Sequence, residues 1–451
     1  MFTLTALLLI AATATGANLP PLENAMPVRI AGEWALTVGP GTVVLGGHTY
    51  ELEDRVDLEV PPVEPITVRD ECHARIPVFN PERAGWAKST RPRGITTEET
   101  TAPGLLDADS VRLKAAPGDA QVYVRGEDFD FDPVWGAFGR LEGSAIAPEQ
   151  AVFLDYEYTP ARLDVITVGP RGHASHGAGT PGVGAIPMPA ISEEVAAVAT
   201  VWLRGPMDRL TADCIYPVEY SSAESAVAEP KVAKGALPNT RAKVEAGEPV
   251  TIVAWGDSVT AGGGVNTNPN DWYQHQFAAL LKARFPDAKP RVFTAGWGGA
   301  NMRDWLDAPE GGPYDFERDV LGPKPDLVVI EFVNDASLDA EDIATQYGPV
   351  IERLRNAGAE VVVFTPHFVR QDFMRAEPGE KIAADPRPYV KGLRQFADEH
   401  GVALADAAAV WAGLWRKGIP YITLLANSIN HPDARGHRIF AEALLAFFPA
   451  P

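Results

Sequence analysis

Residues 250–264 read VTIVAWGDSVTAGGG and combine an apolar strand pattern with a turn that ends in a serine. The run 250–255 is short, apolar and rich in β-branched residues, as in strands that are buried on both faces. The turn residues 256–258 (GDS) follow, and 261–264 form a Gly-rich loop. Because a serine held directly after a buried strand is open to a substrate, Ser258 is the first candidate nucleophile.

The sequence downstream of this strand alternates between two patterns. Apolar strand patterns recur at 291–296, 326–333, 360–366 and 402–405, and they are separated by amphipathic helix patterns at 271–285, 340–356, 389–400 and 433–448. Alternation of this kind predicts an α/β doubly wound parallel sheet that is covered by helices. Ligands of such sheets bind at the carboxyl ends of the strands.

The sequence upstream is different. Residues 41–52 (GTVVLGGHTYEL) indicate a hairpin, 151–158 (AVFLDYEY) alternate in polarity, and 198–203 indicate another strand. These patterns predict a β-sandwich over 18–220. Residues 221–247 are rich in Ala, Glu, Lys, Ser and Pro and lack aromatic side chains, which predicts a linker. The α/β domain would then occupy 248–451.

Composition narrows the function. The chain has 451 residues and a formal net charge of −21, so nucleic-acid binding and binding to anionic membrane surfaces are excluded as main functions. Residues 1–17 (MFTLTALLLIAATATGA) resemble a signal peptide, and a buried N-terminal element is the alternative. We therefore expect a secreted or periplasmic protein. Cys72 and Cys214 permit one disulfide in such a compartment, or they are two separate thiols.

Three more polar clusters accompany the predicted strands and the last helix. They are 296–301 (GWGGAN), 332–335 (FVND) and 427–432 (NSINHP). Because the carboxyl ends of parallel strands share one edge of a sheet, these clusters should converge on Ser258. Acyl transfer requires such a set, with a hydroxyl nucleophile, an imidazole base and hydrogen-bond donors for an oxyanion.

From residue 249 onward, these four blocks resemble the SGNH (GDSL-type) hydrolase superfamily. The resemblance implies that Ser258 is the nucleophile and that His431 is the base. It also implies an oxyanion hole that is formed by the backbone N–H groups of Ser258 and Gly299 with the side chain of Asn334. The overall layout resembles two-domain carbohydrate esterases that join a β-sandwich N-terminal domain to an SGNH domain.

Two positions depart from the family pattern. Phe332 replaces a small residue, and Ser428 stands where the family has an Asp three residues before the histidine. The imidazole of His431 is then oriented by the Ser428 hydroxyl, by a backbone carbonyl of 427–430, or by a carboxylate from elsewhere. Asn427, Asp406 and Asp433 are the nearest candidates in sequence, and none is well placed.

The remaining candidates concern the substrate and metals. Trp255, Trp297 and Phe332 adjoin the catalytic blocks and are candidates for a platform under a sugar ring. His173 and His176 lie in a Gly-rich stretch and are interpreted as surface residues, so we expect neither a metal nor a cofactor. The sequence thus predicts a secreted serine esterase that removes small acyl groups, acetyl above all, from carbohydrates.

Two alternatives stay open at this point. One is a lipase or thioesterase of the same superfamily. The other is a catalytically degenerate glycan-binding protein, which loss of the Asp favours and retention of Ser258, Gly299, Asn334 and His431 disfavours. The partner is in each case a small or carbohydrate ester or a glycan, and no feature predicts the oligomeric state.

Overall fold

The computed structural model describes residues 23–45, 48–118, 121–219, 236–265 and 267–450. Within these, one compact unit comprises 23–219 together with 416–428, and a second comprises 236–415 together with 429–450. The predicted signal peptide lies outside the described residues. None of the described helices is long and apolar enough to cross a membrane.

The first unit consists of short strands in antiparallel sheets, as predicted. Its strands are β1 Glu23–Asn24, β2 Val28–Gly32, β3 Ala35–Val38, β4 Gly41–Leu45, β5 His48–Leu52, β6 Val56–Glu59, β7 Ile66–His73, β8 Leu106–Lys114, β9 Phe129–Phe131, β10 Phe138–Arg140, β11 Val152–Tyr158, β12 Arg162–Gly169, β13 His173–Gly177, β14 Ala196–Leu203 and β15 Ile215–Pro217. The strand orders are β1-β4-β5, β2-β3-β6, β7-β11-β8, β10-β9 and β13-β12-β14-β15.

One apolar core joins three of these sheets. Leu36 of β3, Val43 of β4, Ile166 of β12 and Val198 of β14 are buried in a single cluster. Strands β12 and β14 are buried along their whole length. Strand β14 is apolar except for Thr200, whereas β12 also buries Arg162 and Asp164, which pair at 2.7 Å. A core that is shared by several antiparallel sheets is consistent with the β-sandwich that the sequence predicted.

Residues 416–428 belong to the first unit, although the sequence placed them in the α/β domain of 248–451. Thr200 Oγ1 donates to the Gly418 carbonyl at 2.5 Å, and Thr100 Oγ1 donates to the Asn427 carbonyl at 2.5 Å. The backbone N–H of Ile186 donates to the carbonyl of Thr423 at 2.9 Å. Sequence proximity therefore misassigned this segment, because its hydrogen-bond partners lie more than 200 residues earlier in the chain.

The second unit is a parallel five-stranded sheet with helices, which confirms the predicted doubly wound domain. Its strands are β16 Pro249–Gly256, β17 Lys289–Gly296, β18 Leu327–Glu331, β19 Glu360–Phe364 and β20 Ala403–Ala405. Its helices are α1 Pro238–Glu245, α2 Tyr273–Arg284, α3 Met302–Asp307, α4 Ala340–Asn356, α5 Pro388–His400, α6 Ala407–Gly413 and α7 Ala434–Leu445.

Helix α1 corrects the predicted linker 221–247. The backbone N–H groups of Asn239 and Thr240 both donate to the Glu360 carboxylate, at 2.9 and 2.8 Å. Lys243 Nζ lies 2.6 Å from an Asp326 carboxylate oxygen. The helix escaped prediction because its amphipathic pattern is weak and long-range polar contacts hold it. The first part of the linker, 221–235, lies outside the described residues.

The strand order of the sheet is β17-β16-β18-β19-β20. The next strands along the chain are therefore placed on opposite sides of β16, with β17 on one side and β18 on the other. Such a switch point opens a crevice at the carboxyl ends of the flanking strands. Gly256, the last residue of β16, is in register with Gly296 of β17 and with Glu331 of β18. The loops that follow these three strands thus begin at the same level.

The two cysteines are free, so the disulfide that the sequence permitted is wrong. Cys72 is exposed on β7, whereas Cys214 is buried in the core with its sulfur 3.3 Å from the Thr211 hydroxyl. The count of cysteines was even, but even counts do not place sulfur atoms within bonding distance.

A fragment that ends at residue 220 should be less stable than the same fragment joined by a flexible linker to residues 416–428. Loss of 416–428 removes two buried hydrogen bonds, each worth about 1 kcal/mol, and exposes apolar side chains. We expect the joined form to melt at least about 5 °C higher by circular dichroism. A joined control with the sequence of 416–428 scrambled should melt like the short fragment. Equal melting of the two main forms would contradict the assignment.

Candidate active site

Ser258 and His431 lie within hydrogen-bond distance of each other, as the sequence predicted. Ser258 Oγ is 3.0 Å from Nε2 of His431, and the imidazole is buried while the serine is half-buried. The loop that carries the imidazole is fixed by His367, whose Nε2 donates to the carbonyl of Asn430 at 2.7 Å. Burial lowers the pKa of His367 well below its usual range, so this ring is a neutral donor.

Asp257 joins the nucleophile loop to the loop after β18. Its carboxylate accepts the backbone N–H of Val259 at 3.0 Å and the backbone N–H of Asn334 at 3.0 Å. The side chain is completely buried. From the sequence alone, Asp257 is predicted only as a turn residue, because its second partner lies 77 positions away. The signal that could have found it is a charged residue at the end of a fully apolar strand.

The Gly-rich loop allows the histidine segment to approach the nucleophile. A Cβ at Gly263 would lie 2.9 Å from Nδ1 of His431 and 2.9 Å from the carbonyl oxygen of Ser258. A Cβ at Gly264 would lie 2.1 Å from the carbonyl oxygen of Pro432. Real Cβ atoms do not approach other atoms this closely, so larger residues here would displace the imidazole.

A second buried histidine holds the Gly-rich loop from α7. His437 Nδ1 accepts the backbone N–H of Tyr273 at 3.1 Å, and its Nε2 lies 3.0 Å from the carbonyl oxygen of Gly263. Because Nδ1 accepts, Nε2 carries the proton and donates to that carbonyl. No role for His437 is predicted from the sequence.

The loops after β17 and β18 carry the predicted oxyanion donors Gly299 and Asn334. Gly298 approaches the nucleophile so closely that a Cβ there would lie 4.0 Å from the Cβ of Ser258. Gly299 has a φ of +81°, which favours glycine. Asn334 Nδ2 donates one hydrogen to the carbonyl of Ala300 at 3.1 Å. Its second amide hydrogen is then available for a substrate oxygen.

The Asp335 carboxylate lies in the loop after β18 and binds groups near both loops that carry these donors. Its carboxylate accepts the backbone N–H of Met302, the first residue of α3, at 3.2 Å, and the hydroxyl of Tyr347 at 2.7 Å. Burial raises the pKa of Asp335 to about 6. The contact ties the Gly298–Gly299 loop to the Asn334 loop.

Asp257 shares the buried region under the nucleophile with a second acid. Glu331, the last residue of β18, is completely buried, and its Oε2 accepts from the Thr260 hydroxyl at 3.3 Å while Oε1 has no hydrogen-bond partner. Burial raises the pKa of both carboxyls, and the neighbouring Asp257 charge raises the pKa of Glu331 further. At Asp257 this shift is opposed by the hydrogen bonds from the backbone N–H groups of Asn334 and Val259, and then by charged His431. Glu331 is therefore the protonated member of the pair at neutral pH.

The candidates for orienting His431 lie in different surroundings. Asp406 is paired with Arg394 at 2.8 Å, and Asp433 caps α7 and is paired with Arg435 at 2.7 Å. Both carboxylates are thus held by arginine. Ser428 groups with the first unit and has a φ of +59°. The role of its hydroxyl or of a nearby carbonyl stays a prediction.

Three residues were predicted as a platform for a sugar ring, and the prediction is wrong for Trp255 and Phe332. Both are buried core residues, with their rings 5.2 Å apart and edge-on. They lie in a sheet that is covered on both faces, so proximity to a catalytic block in sequence does not bring them to the surface. Trp297 is half-buried and stacks on Tyr314 at 4.3 Å with an interplanar angle of 8°. It is the one predicted platform residue with an accessible surface.

Residues 254–439 match the model of the GDSL-like lipase/acylhydrolase family, which confirms the SGNH resemblance for this part of the chain. A search of curated proteins finds no match.

Several solved structures are similar. One is a two-domain esterase (CEX) active on acetylated mannans, at 19% identity and a TM-score of 0.39, covering 49% of this chain and 53% of that one. Another is an alpha/beta hydrolase from the metagenome of Lake Arreo, Spain, at 24% identity and a TM-score of 0.36, covering 44% of this chain and 94% of that one. A third is an acetyl xylan esterase from Geobacillus stearothermophilus, at 22% identity and a TM-score of 0.35, covering 44% of this chain and 93% of that one. The match spans about half the length of the two-domain esterase.

Asn334→Ala should reduce kcat on p-nitrophenyl acetate by about 10²–10³, the usual effect of losing one oxyanion donor. KM and the melting temperature should change little, because the backbone N–H that binds Asp257 remains. Asn356→Ala, at the exposed end of α4, is the matched control and should retain full activity. An Asn334→Ala variant with normal kcat would remove this side chain from the oxyanion hole.

Glu331→Gln should flatten the pH dependence of stability. A carboxyl whose pKa is raised by folding stabilises the protein below its unfolded pKa, about 4.3, and this stabilisation is lost as pH rises, by about 1.4 kcal/mol per pH unit. The always-neutral glutamine escapes this loss, so the variant should be more stable than the wild type at pH 8. Urea titrations between pH 5 and 8 measure the slope. Exposed Glu352→Gln is the control, and an unchanged slope in Glu331→Gln would show that Glu331 ionises normally.

Proposed function

We propose that this protein is a secreted serine esterase that removes small acyl groups, acetyl above all, from carbohydrate substrates through an acyl-enzyme. The observation that carries the proposal is the 3.0 Å contact between Ser258 Oγ and His431 Nε2. This contact lies at the switch point of the parallel sheet, where three loops meet. The family model that matches 254–439 describes lipases and acylhydrolases, in agreement with this chemistry.

In the proposed reaction, Ser258 Oγ attacks the ester carbonyl carbon while His431 Nε2 accepts the serine proton. The carbonyl oxygen becomes an oxyanion that is bound by the backbone N–H groups of Ser258 and Gly299 and by the free amide hydrogen of Asn334. The tetrahedral intermediate then expels the sugar alcohol, which takes the proton from His431. Water attacks the acyl-enzyme by the same route and releases the acid and Ser258.

The charge that His431 acquires during the reaction needs a stabilising partner. Asp257 is the buried carboxyl on the serine side of the site; burial raises its pKa to about 7, and a charged His431 favours its ionised form. For orientation of the ring, we propose the Ser428 hydroxyl or a backbone carbonyl of 427–430, as the sequence suggests. A neutral acceptor of this kind fixes the tautomer but stabilises the imidazolium less than a carboxylate does.

The carbohydrate part of the proposal has separate support. Residues 1–17 resemble a signal peptide, and the chain contains an antiparallel β unit in addition to the α/β unit. Trp297 adjoins the oxyanion loop and offers an aromatic surface to a sugar ring. The degenerate binding protein is disfavoured, because a protein that only binds has no use for a serine hydrogen-bonded to a histidine.

Ser258→Ala tests the function directly. The variant should lose several orders of magnitude in kcat on p-nitrophenyl acetate and on acetylated xylo-oligosaccharides while keeping its fold. Exposed Ser192→Ala in the first unit is the matched control and should remain fully active. Full activity of Ser258→Ala would refute the assignment, and so would a phosphonate adduct found by mass spectrometry on another residue. Faster hydrolysis of octanoyl than acetyl esters would favour the lipase alternative.

A further inference from the structure

A cavity of about 300 Å³ lies within the second unit beside the proposed reaction centre. Asn334, the proposed oxyanion donor, and Asn430, which precedes His431, both line it. Cavities that bind small molecules begin at about this volume. An acetyl group, with three non-hydrogen atoms, would leave most of the space empty. The cavity is therefore available to a larger part of the substrate.

Half of the lining residues belong to the loop between β19 and α5. This loop is attached to the same segment that carries His431. The backbone N–H of Arg370 donates to the carbonyl of Ile429 at 2.7 Å, and Arg387 Nη2 donates to the carbonyl of His367 at 2.7 Å. His367 in turn holds Asn430. Hydrogen bonds thus join the cavity wall to the segment that carries the catalytic imidazole.

The charge on the cavity wall is positive. Arg375 and Arg387 are the charged residues among the described ones that line it. Arg387 is buried and binds the Asp385 carboxylate, yet its Nη1 has no hydrogen-bond partner. Arg375 is exposed and has no ion-pair partner in the part of the chain that the structure describes. In a chain of net charge −21, an uncompensated guanidinium at a cavity attracts anionic ligands selectively.

The cavity also carries an aromatic surface. Phe373 is 49% exposed and lines the cavity. The guanidinium of Arg370 lies 4.6 Å from its ring centroid and restricts the orientation of the ring. Val369 adds an apolar side chain to the same wall. An exposed aromatic ring beside a free guanidinium matches a ligand that has both an apolar face and a negative group.

We propose that this cavity binds a uronic acid residue, so that the preferred substrates are acetylated acidic oligosaccharides. This inference rests on the proposed esterase function and specifies its substrate class. The carboxylate of the sugar pairs with Arg375, the sugar ring lies against Phe373, and the ester carbonyl faces Asn334. Arg387 adds positive potential at the base of the cavity. Arg375 is thus a specificity-determining residue that recognises charge and takes no part in bond breaking.

A matched pair of substrates tests the inference on the full-length protein. Monoacetylated methyl glucuronoside and monoacetylated methyl glucoside differ only in carboxylate against hydroxymethyl at C6. A charge-assisted contact predicts a kcat/KM ratio of about 10 to 100 in favour of the acidic ester, carried mainly by KM. Arg375→Gln should bring this ratio near one, and Arg375→Lys should restore part of it. Arg171→Gln is the control and should keep the wild-type ratio, because Arg171 is an exposed arginine in the first unit and has a positive φ (75°) like Arg375 (55°).

Calorimetric binding of methyl glucuronoside gives a second readout that is independent of turnover. The wild-type protein should bind it, and Arg375→Gln should weaken the binding about tenfold. Hydrolysis of both esters with a ratio near one would overturn the inference and leave the proposed function intact. If neither ester is hydrolysed, the proposed function fails, and the binding measurement alone then decides whether the cavity binds a uronic acid. Binding that is insensitive to Arg375→Gln would overturn the inference.

Discussion

The carboxylate of Asp257 is the contact on which the reaction centre depends. It is completely buried and accepts backbone N–H groups from the nucleophile loop and from the Asn334 loop. A buried carboxylate that lost either partner would be strongly destabilised, so the two loops are held at a fixed separation. The geometry of Ser258 relative to Asn334 follows from this requirement. The register of β16 with its two neighbours brings the loops close enough for the contact to form.

Burial of carboxyl groups in this region has an electrostatic cost, because burial disfavours their charged forms. Placing Asp257 and Glu331 together in an apolar region raises the pKa of both groups, and one of them keeps its proton. Both carboxyls lie under the nucleophile, and a charged His431 favours ionisation of Asp257. Position 428, where the family has an Asp, is a serine, so Asp257 is the buried acid that directly adjoins the nucleophile in sequence.

Close packing completes the centre. Gly263 and Gly264 have no space for a side chain, because the His431 loop lies directly against them. His437 binds the Gly263 carbonyl from α7, and His367 binds the Asn430 carbonyl from the loop after β19. Three separate elements therefore fix one imidazole. The same loop after β19 also forms the arginine-bearing wall of the adjacent cavity, so recognition and catalysis share their supports.

The sequence by itself determined the parallel α/β unit, the antiparallel unit and the four polar blocks that contain Ser258, Gly299, Asn334 and His431. These features are local, because hydrophobic periodicity sets strands and helices and because the residues after parallel strands share one edge. Only the tertiary structure showed that Trp255 and Phe332 are core residues, that Cys72 and Cys214 are free, that 416–428 joins the first unit, and that Asp257 and Arg375 have the surroundings described above. Each of these depends on partners that are remote in sequence. A periodic pattern specifies which face of an element is apolar, but it does not specify which distant atoms will meet that face.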